Sequence, residues 1–424
     1  MSKGLRAEGK VRREKRITVV TAGHVSACPR MLKAADALVC AGYRVRVVST
    51  KSTPWATAAD AALRATRRWD WTVLDYERVT GRALQLKTGV RLRAMQTVAK
   101  TMGPSSVPMS IAIRAYSRMH DEIVRAVVAE PADLIYGGTT GALAAVAQAA
   151  AWLGVPYGID FEDFHSGEHG GPNGNLTNTL AHRIERYVIR SASFVTAGSP
   201  MIADAYRHAH GVRPLPIHNT FSVAPDQASP SGEAGDALRL YWFSQTLGQG
   251  RGLDDVVRAA GEAHWPIELH LRATPVPQYL DTLRQLQAAV APNLRLVVHE
   301  SSGPDDMVRL ARAYDAGLSC EEPLVINRRL NLANKIFTYL AAGTPVILSR
   351  TPAQSALERD LGDAAFGYEC GDVRGLASVL RSLARDVSLR CASRRAAKVA
   401  AARRWHWEHP DDRGALLAAV ASAA

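Results

Sequence analysis

Residues 160–169, "DFEDFHSGEH", put Asp160, Glu162, Asp163, His165, Glu168 and His169 into ten positions. Carboxylates and imidazoles at that density can take, give or relay protons, and they can also hold a divalent ion. No helical His-x-x-x-His pair accompanies them, so the expectation is catalysis or substrate orientation by Glu162, Asp163 and His165, with no metal. A second stretch, "NLANKIFTYLAAG" from Asn331, carries phosphate chemistry. With Asn331 as N-cap, Asn331, Lys335, Thr338 and Ala342 share one stripe of an otherwise apolar helix. Free N–H groups, the positive helix end and Lys335 then form an anion site. An Asn cap and a snorkelling Lys on a core helix fit the same residues.

A third stretch, "WFSQTLGQGRGLDDVVRAA", reads as strand, Gly-rich loop, and a helix beginning near Gly252. Gly248, Gly250 and Gly252 let a backbone approach a ligand, and Arg251 stands at the helix mouth. Two anion-holding helix starts at one crevice suit a diphosphate. In "TAGHVSACPR", Gly23 would let N–H groups approach it from the other side, with His24 and Arg30 as weaker candidates. Glu321 and Glu322 follow the strand "YDAGLSC" toward the same crevice, where a solvated acidic pair is the alternative.

These residues need parallel sheets to bring them together. "KRITVVTAGHVSACPRMLKAADALVCAGYRVRVVST" is strand, loop, amphipathic helix and strand. That is a right-handed βαβ unit. "DLIYGG", "VPYGID", "SFVTAGS" and "PIHN" extend the series through residue 222. "LRLYWFS", "PIELHLR", "LRLVVHE", "YDAGLSC" and "TPVILS" form a second series after residue 237. The stretch between, "APDQASPSGEAGDA", is a linker by composition. The fold class expected is α/β: two Rossmann-like, doubly wound parallel-sheet domains facing a central cleft. The expected boundaries are a disordered basic tail at 1–15, a first domain at 16–222, a linker at 223–237, a second domain at 238–395 and a returning C-terminal helix at 396–424.

The sequence resembles the glycosyltransferases of the GT-B fold, in the large group of retaining nucleotide-sugar enzymes. "LNLANKIFTYLAAGTPVILS" resembles their Pro-Asn-Lys-hydrophobic-Phe-Glu-Tyr helix with its Ala-Gly-x-Pro-Val exit. "FSQTLGQGRGLDDVVRAA" resembles their diphosphate loop, and "RRWHWE" their C-terminal Trp-Glu helix. The resemblance implies donor-binding roles for Ser244, Gln245, Gly250, Arg251, Glu321 or Glu322, Asn334, Lys335 and Thr338. It implies sugar transfer from a nucleotide-diphosphate sugar to an acceptor, with retention and without a cofactor or metal. Three departures stand out. Gln245 replaces a loop Arg, Arg251 replaces a Lys, and Thr338 replaces the Glu that binds ribose hydroxyls. A non-catalytic binding subunit and a nucleotide-sugar epimerase are the alternative functions.

Composition bounds the rest. A chain of 424 residues with 47% hydrophobic content exceeds one ordinary core and is not disordered. The net charge of +12 suits an anionic partner. Residues 81–120 hold seven Lys or Arg, no acid, and interleaved Leu, Val and Met. That suits an anionic membrane surface through 82–118, an anionic acceptor, or a packed basic helix. No aromatic platform points to nucleic acid. The five cysteines show no CxxC spacing and read as reduced thiols. No apolar run follows the basic N-terminus as in a signal peptide. The location expected is cytoplasmic, with peripheral attachment to the membrane.

Overall fold

The computed structural model describes residues 14–223 and 237–424. The expected tail at 1–15 and linker at 223–237 therefore fall almost entirely outside the described residues. Two sheets form, and every strand pair in them is parallel. The first contains β1 (Arg16–Thr21), β2 (Arg44–Lys51), β3 (Asp70–Asp75), β4 (Leu134–Gly138), β5 (Tyr157–Phe161), β6 (Phe194–Ala197) and β7 (Leu215–Pro216), in the order β3-β2-β1-β4-β5-β6-β7. The second contains β8 (Leu238–Leu247), β9 (Ile267–Pro275), β10 (Leu294–His299), β11 (Ala316–Ser319), β12 (Val346–Ser349) and β13 (Ala365–Tyr368), in the order β10-β9-β8-β11-β12-β13.

Helices cover both faces of each sheet, which is why central strands such as "ITVV" are apolar without alternation. The strand order reverses between β1 and β4 and again between β8 and β11. A crevice opens at such a reversal, beyond the carboxyl ends of the strands. The chain turns out of β1 at Gly23, out of β5 at Glu162, out of β8 at Gly248 and out of β11 at Cys320.

Three details differ from the sequence reading. Strands β3 and β13 were not anticipated; both lie at or near a sheet edge, and their segments carry a weaker apolar signal. The "PIHN" strand shrinks to Leu215–Pro216, because Asn219 and Thr220 are drawn into contacts with other elements. The "RRWHWE" segment is a crossing rather than a helix. The helix before it ends at Arg403, and Trp405 and Trp407 are buried on different domains. Beyond the crossing, Leu416 and Val420 pack with Ile17, Val19 and Leu38 of the first domain. The buried Asp412 carboxylate accepts from the His218 amide at 2.8 Å and from Arg404 at 2.9 Å. The C-terminus is thus tied to the chain just after β7.

Candidate active site

The helix Asn334–Ala341 starts two residues later than expected. Asn331 is not its N-cap. It closes the preceding short helix Ile326–Leu330 in an extended conformation, and Ala333 takes the cap position without a side-chain hydrogen bond. The shift leaves Lys335 and Thr338 on the cleft side of a helix buried from Lys335 to Ala341. The Lys335 ammonium lies 2.7 Å from Glu321, and the Arg251 guanidinium lies 3.8 Å from its other oxygen. Burial alone would raise the Glu321 carboxyl, but Lys335, followed by Arg251 and Arg328, holds it below the usual range. The Thr338 hydroxyl donates to the Asn334 carbonyl at 3.3 Å, leaving its lone pairs as the polar group it offers.

The loop after β8 is set by its glycines. Gly250 and Gly252 adopt φ of 73° and 67°, the left-handed region that side chains disfavour. A Cβ on Gly252 would also collide with the Cys320 carbonyl. The loop's carbonyl at Gly250 is held by Arg328. The helix Leu253–Ala263 begins immediately after, with Arg251 at its mouth.

The first domain supplies the opposite wall. Arg30 grips Asp160 through two bonds of 2.7 and 2.5 Å and also donates to the Ile217 carbonyl. Glu162, next to it on the loop, has its carboxyl pushed up to about 7 by burial first and the Asp163 charge second. Asp163 is raised by burial and then by Glu168. Its Oδ1 accepts from Asn327 at 2.9 Å, a bond from the second domain. Asn327 also accepts from the Phe164 amide at 2.8 Å. Asn219 donates to Asn334 at 2.6 Å and lies 3.4 Å from Glu162. The two domains therefore meet in a polar relay along the cleft floor.

The resulting cleft has a volume of about 460 Å³. It brings together Glu162, Asp163, Ser244, Gln245, Arg251, Glu321, Asn334, Lys335 and Thr338 from the sequence-derived set. Gly23, His165, Gly250 and Glu322 do not line it. His165 is 2% exposed and lies behind the acidic loop, 2.5 Å from Glu168. Burial disfavours its charge, yet Glu168 and then Asp163 more than offset this and raise it to about 9. Glu322 accepts the Gly252 amide at 2.9 Å and so braces the glycine loop. Gly23 uses its carbonyl to hold the Thr50 amide at 3.2 Å. Gln245 lines the cleft but donates to the Ala27 carbonyl at 3.1 Å, bridging the domains. His24 is structural, tied to Asp60 at 2.7 Å and accepting two backbone amides at 3.1 Å.

Sequence reasoning missed Arg272, Asn219 and Asn327. Arg272 ends the alternating run "IELHLR" at the carboxyl end of β9 and reaches the cleft, braced by Tyr241 at 3.0 Å. Its place beside β8 was the available signal. The two Asn residues had none, because their partners lie across the domain boundary.

Two doubly wound domains closing on a cleft with basic groups on one wall and acidic groups on the other constitute the GT-B architecture of glycosyltransferases. Residues 27–219 match the model of the glycosyl transferase 4-like domain. The chain thus has the GT-B fold, and its first domain matches the glycosyl transferase 4-like model. No curated protein matches it. Among solved structures it is similar to HepE of Anabaena in complex with UDP and glucose, at 17% identity and a TM-score of 0.67, covering 96% of this chain and 99% of that one. It is also similar to a glycosyltransferase from Rickettsia africae (11% identity, TM-score 0.61, 97% of each chain). A putative UDP-N-acetylglucosamine 2-epimerase from Listeria monocytogenes is similar too (14%, TM-score 0.58, 96% of each chain).

Proposed function

We propose that this chain transfers a sugar from a nucleoside-diphosphate sugar to a hydroxyl acceptor, with the donor on the second domain and the acceptor on the first. The observation that carries the reading is the convergence of Arg251, Arg272 and Lys335 on one cleft wall, facing Glu162 on the other. As the glycosidic bond breaks, negative charge grows on the leaving diphosphate. Fixed cations and uncapped helix N–H groups stabilise that charge more in the transition state than before it. Glu321, held between Lys335 and Arg251, is placed to accept donor sugar hydroxyls, and Thr338 offers one hydroxyl toward the ribose. The UDP in the HepE structure supports a uridine nucleotide as the first donor to test. In this reading the diphosphate needs no divalent ion, so its binding should be unchanged by EDTA or added Mg²⁺.

Retention follows the family resemblance: the acceptor oxygen bonds to the anomeric carbon on the leaving-group face, and a diphosphate oxygen takes its proton. The raised Glu162 carboxyl favours a second reading, inversion with Glu162 as base. NMR of the first-formed anomer separates the two. The decisive experiment is calorimetric titration of UDP with Arg251→Ala. A charged hydrogen bond contributes about 1.5–3 kcal/mol, so affinity should fall by roughly ten- to a hundredfold. Equal affinity in both proteins would end the diphosphate reading. Isomerised nucleotide sugar appearing without acceptor would instead favour an epimerase.

The helix Arg82–Met102 bears on the acceptor. Leu86, Val90 and Met102 are exposed on it among exposed Arg82, Lys87, Arg93 and Lys100. Such a face fits an anionic lipid surface and a lipid-linked acceptor. No helix among the described residues is long and apolar enough to cross a membrane.

A further inference from the structure

Behind the acidic loop, away from the cleft, three metal-ligating side chains meet. His182 and Glu185 lie three residues apart on the helix Gly171–Ile189, and His210 is the last residue of the helix Pro200–His210. Their ligand atoms all fall within 4.8 Å of one another. We propose that His182, Glu185 and His210 bind a zinc-class divalent ion that braces the loop carrying Glu162 and Asp163.

The geometry fits. Tetrahedral zinc with bonds of about 2.0–2.1 Å requires neighbouring ligand atoms about 3.4 Å apart. Nε2 of His210 and Oε2 of Glu185 are 3.0 Å apart. The His182 and His210 rings sit 4.6 Å apart, and His182 is exposed, so a side-chain rotation closes the remaining gap. One further observation points to a cation. Glu185 is fully buried, and an ion at this point would place positive charge directly on its carboxylate.

The loop hangs on the same carboxylate. The other oxygen of Glu185 accepts the Ser166 amide at 2.8 Å and lies 3.0 Å from the Tyr206 hydroxyl. That hydroxyl accepts the His165 amide at 3.3 Å. An ion on Glu185 would therefore fix the rear of the loop while leaving the cleft wall free. Nothing in this site touches the donor side.

The test uses the full chain stripped with chelator and titrated with Co²⁺, then Zn²⁺. One Co²⁺ per chain with the intense visible absorption of a tetrahedral site, displaced by Zn²⁺, is expected. His182→Ala should weaken Zn²⁺ binding at least tenfold in calorimetry. Because His182 is exposed, the metal-free variant should keep the wild-type thermal unfolding midpoint. His210→Ala should abolish the absorption. No saturable binding below roughly 100 µM, or a Zn²⁺ affinity unchanged in His182→Ala, would overturn the site and leave the donor reading untouched.

Discussion

At the scale of single residues, Glu162 and Lys335 have opposite vulnerabilities. Glu162 lines the cleft, and its carboxyl titrates at about 7 because burial and Asp163 oppose its charge. A base must be deprotonated to act. If Glu162 serves as one, kcat/KM rises with pH through about 7 and levels above it. Glu162→Gln should remove that limb and lower turnover by about a hundredfold or more while sparing UDP affinity. An unchanged pH profile would assign Glu162 to binding alone. Lys335 is different because it is buried against a buried carboxylate. Lys335→Met leaves Glu321 without its nearest cation and should cost about 3–5 kcal/mol in urea unfolding. Adding Glu321→Gln should recover much of that loss. Arg251, with its side chain one-third exposed, is therefore the cleaner probe of donor affinity.

At the scale of elements, the helix Arg82–Met102 shows how a charge run divides between structure and surface. Of the three readings of this basic stretch, Arg91 fits packing: it is committed to Asp121 at 3.0 Å and to Glu122. Arg118 is likewise spent, donating to Thr88 at 2.9 Å. Arg82, Arg93 and Lys100 remain exposed, and each contributes about 1 kcal/mol near an anionic surface. Co-sedimentation with phosphatidylglycerol vesicles should therefore be strong at low salt and fade as salt rises. Arg93→Glu with Lys100→Glu should abolish it. Arg91→Ala should instead lower thermal stability, since it frees Asp121 from one cation and leaves buried Glu122 with Arg125 as its nearest cation. A wild-type chain that stays in the supernatant at low salt would leave this helix as packing only.

At the scale of the whole molecule, the cleft depends on bonds between domains. Asn327 reaches from the second domain to the Phe164 amide and the Asp163 carboxylate of the first. Arg67 pairs with Asp305 through two 2.8 Å bonds at another point along the boundary. The second contact is surface-exposed on the Asp305 side and should contribute under about 1 kcal/mol. The first is partly buried. Asn327→Ala should cost about 1–3 kcal/mol, because it leaves a backbone N–H and a carboxylate short of partners. It should also lower turnover more than UDP affinity, since the donor wall is untouched. Equal losses in both would mean that Asn327 supports the donor site as well.

Sequence alone determined the two-domain strand–helix rhythm of this protein. Apolar strands, amphipathic helices and the glycines at 250 and 252 act through local sterics and periodicity, so they were legible one segment at a time. The same holds for Arg251 and Lys335, whose positions at helix starts are local facts. The start of the helix at Asn334 was not local, because Asn331 has a competing role in closing the short helix before it. The fate of Arg91 was not local either. Asp121 and Glu122 on a later helix hold it, and only packing brought them within hydrogen-bond reach. Which acids face the cleft, which cations remain for a ligand, and how Asn219 and Asn327 join the domains were decided by tertiary structure. Such contacts join residues more than a hundred positions apart, and no pattern along the chain records them.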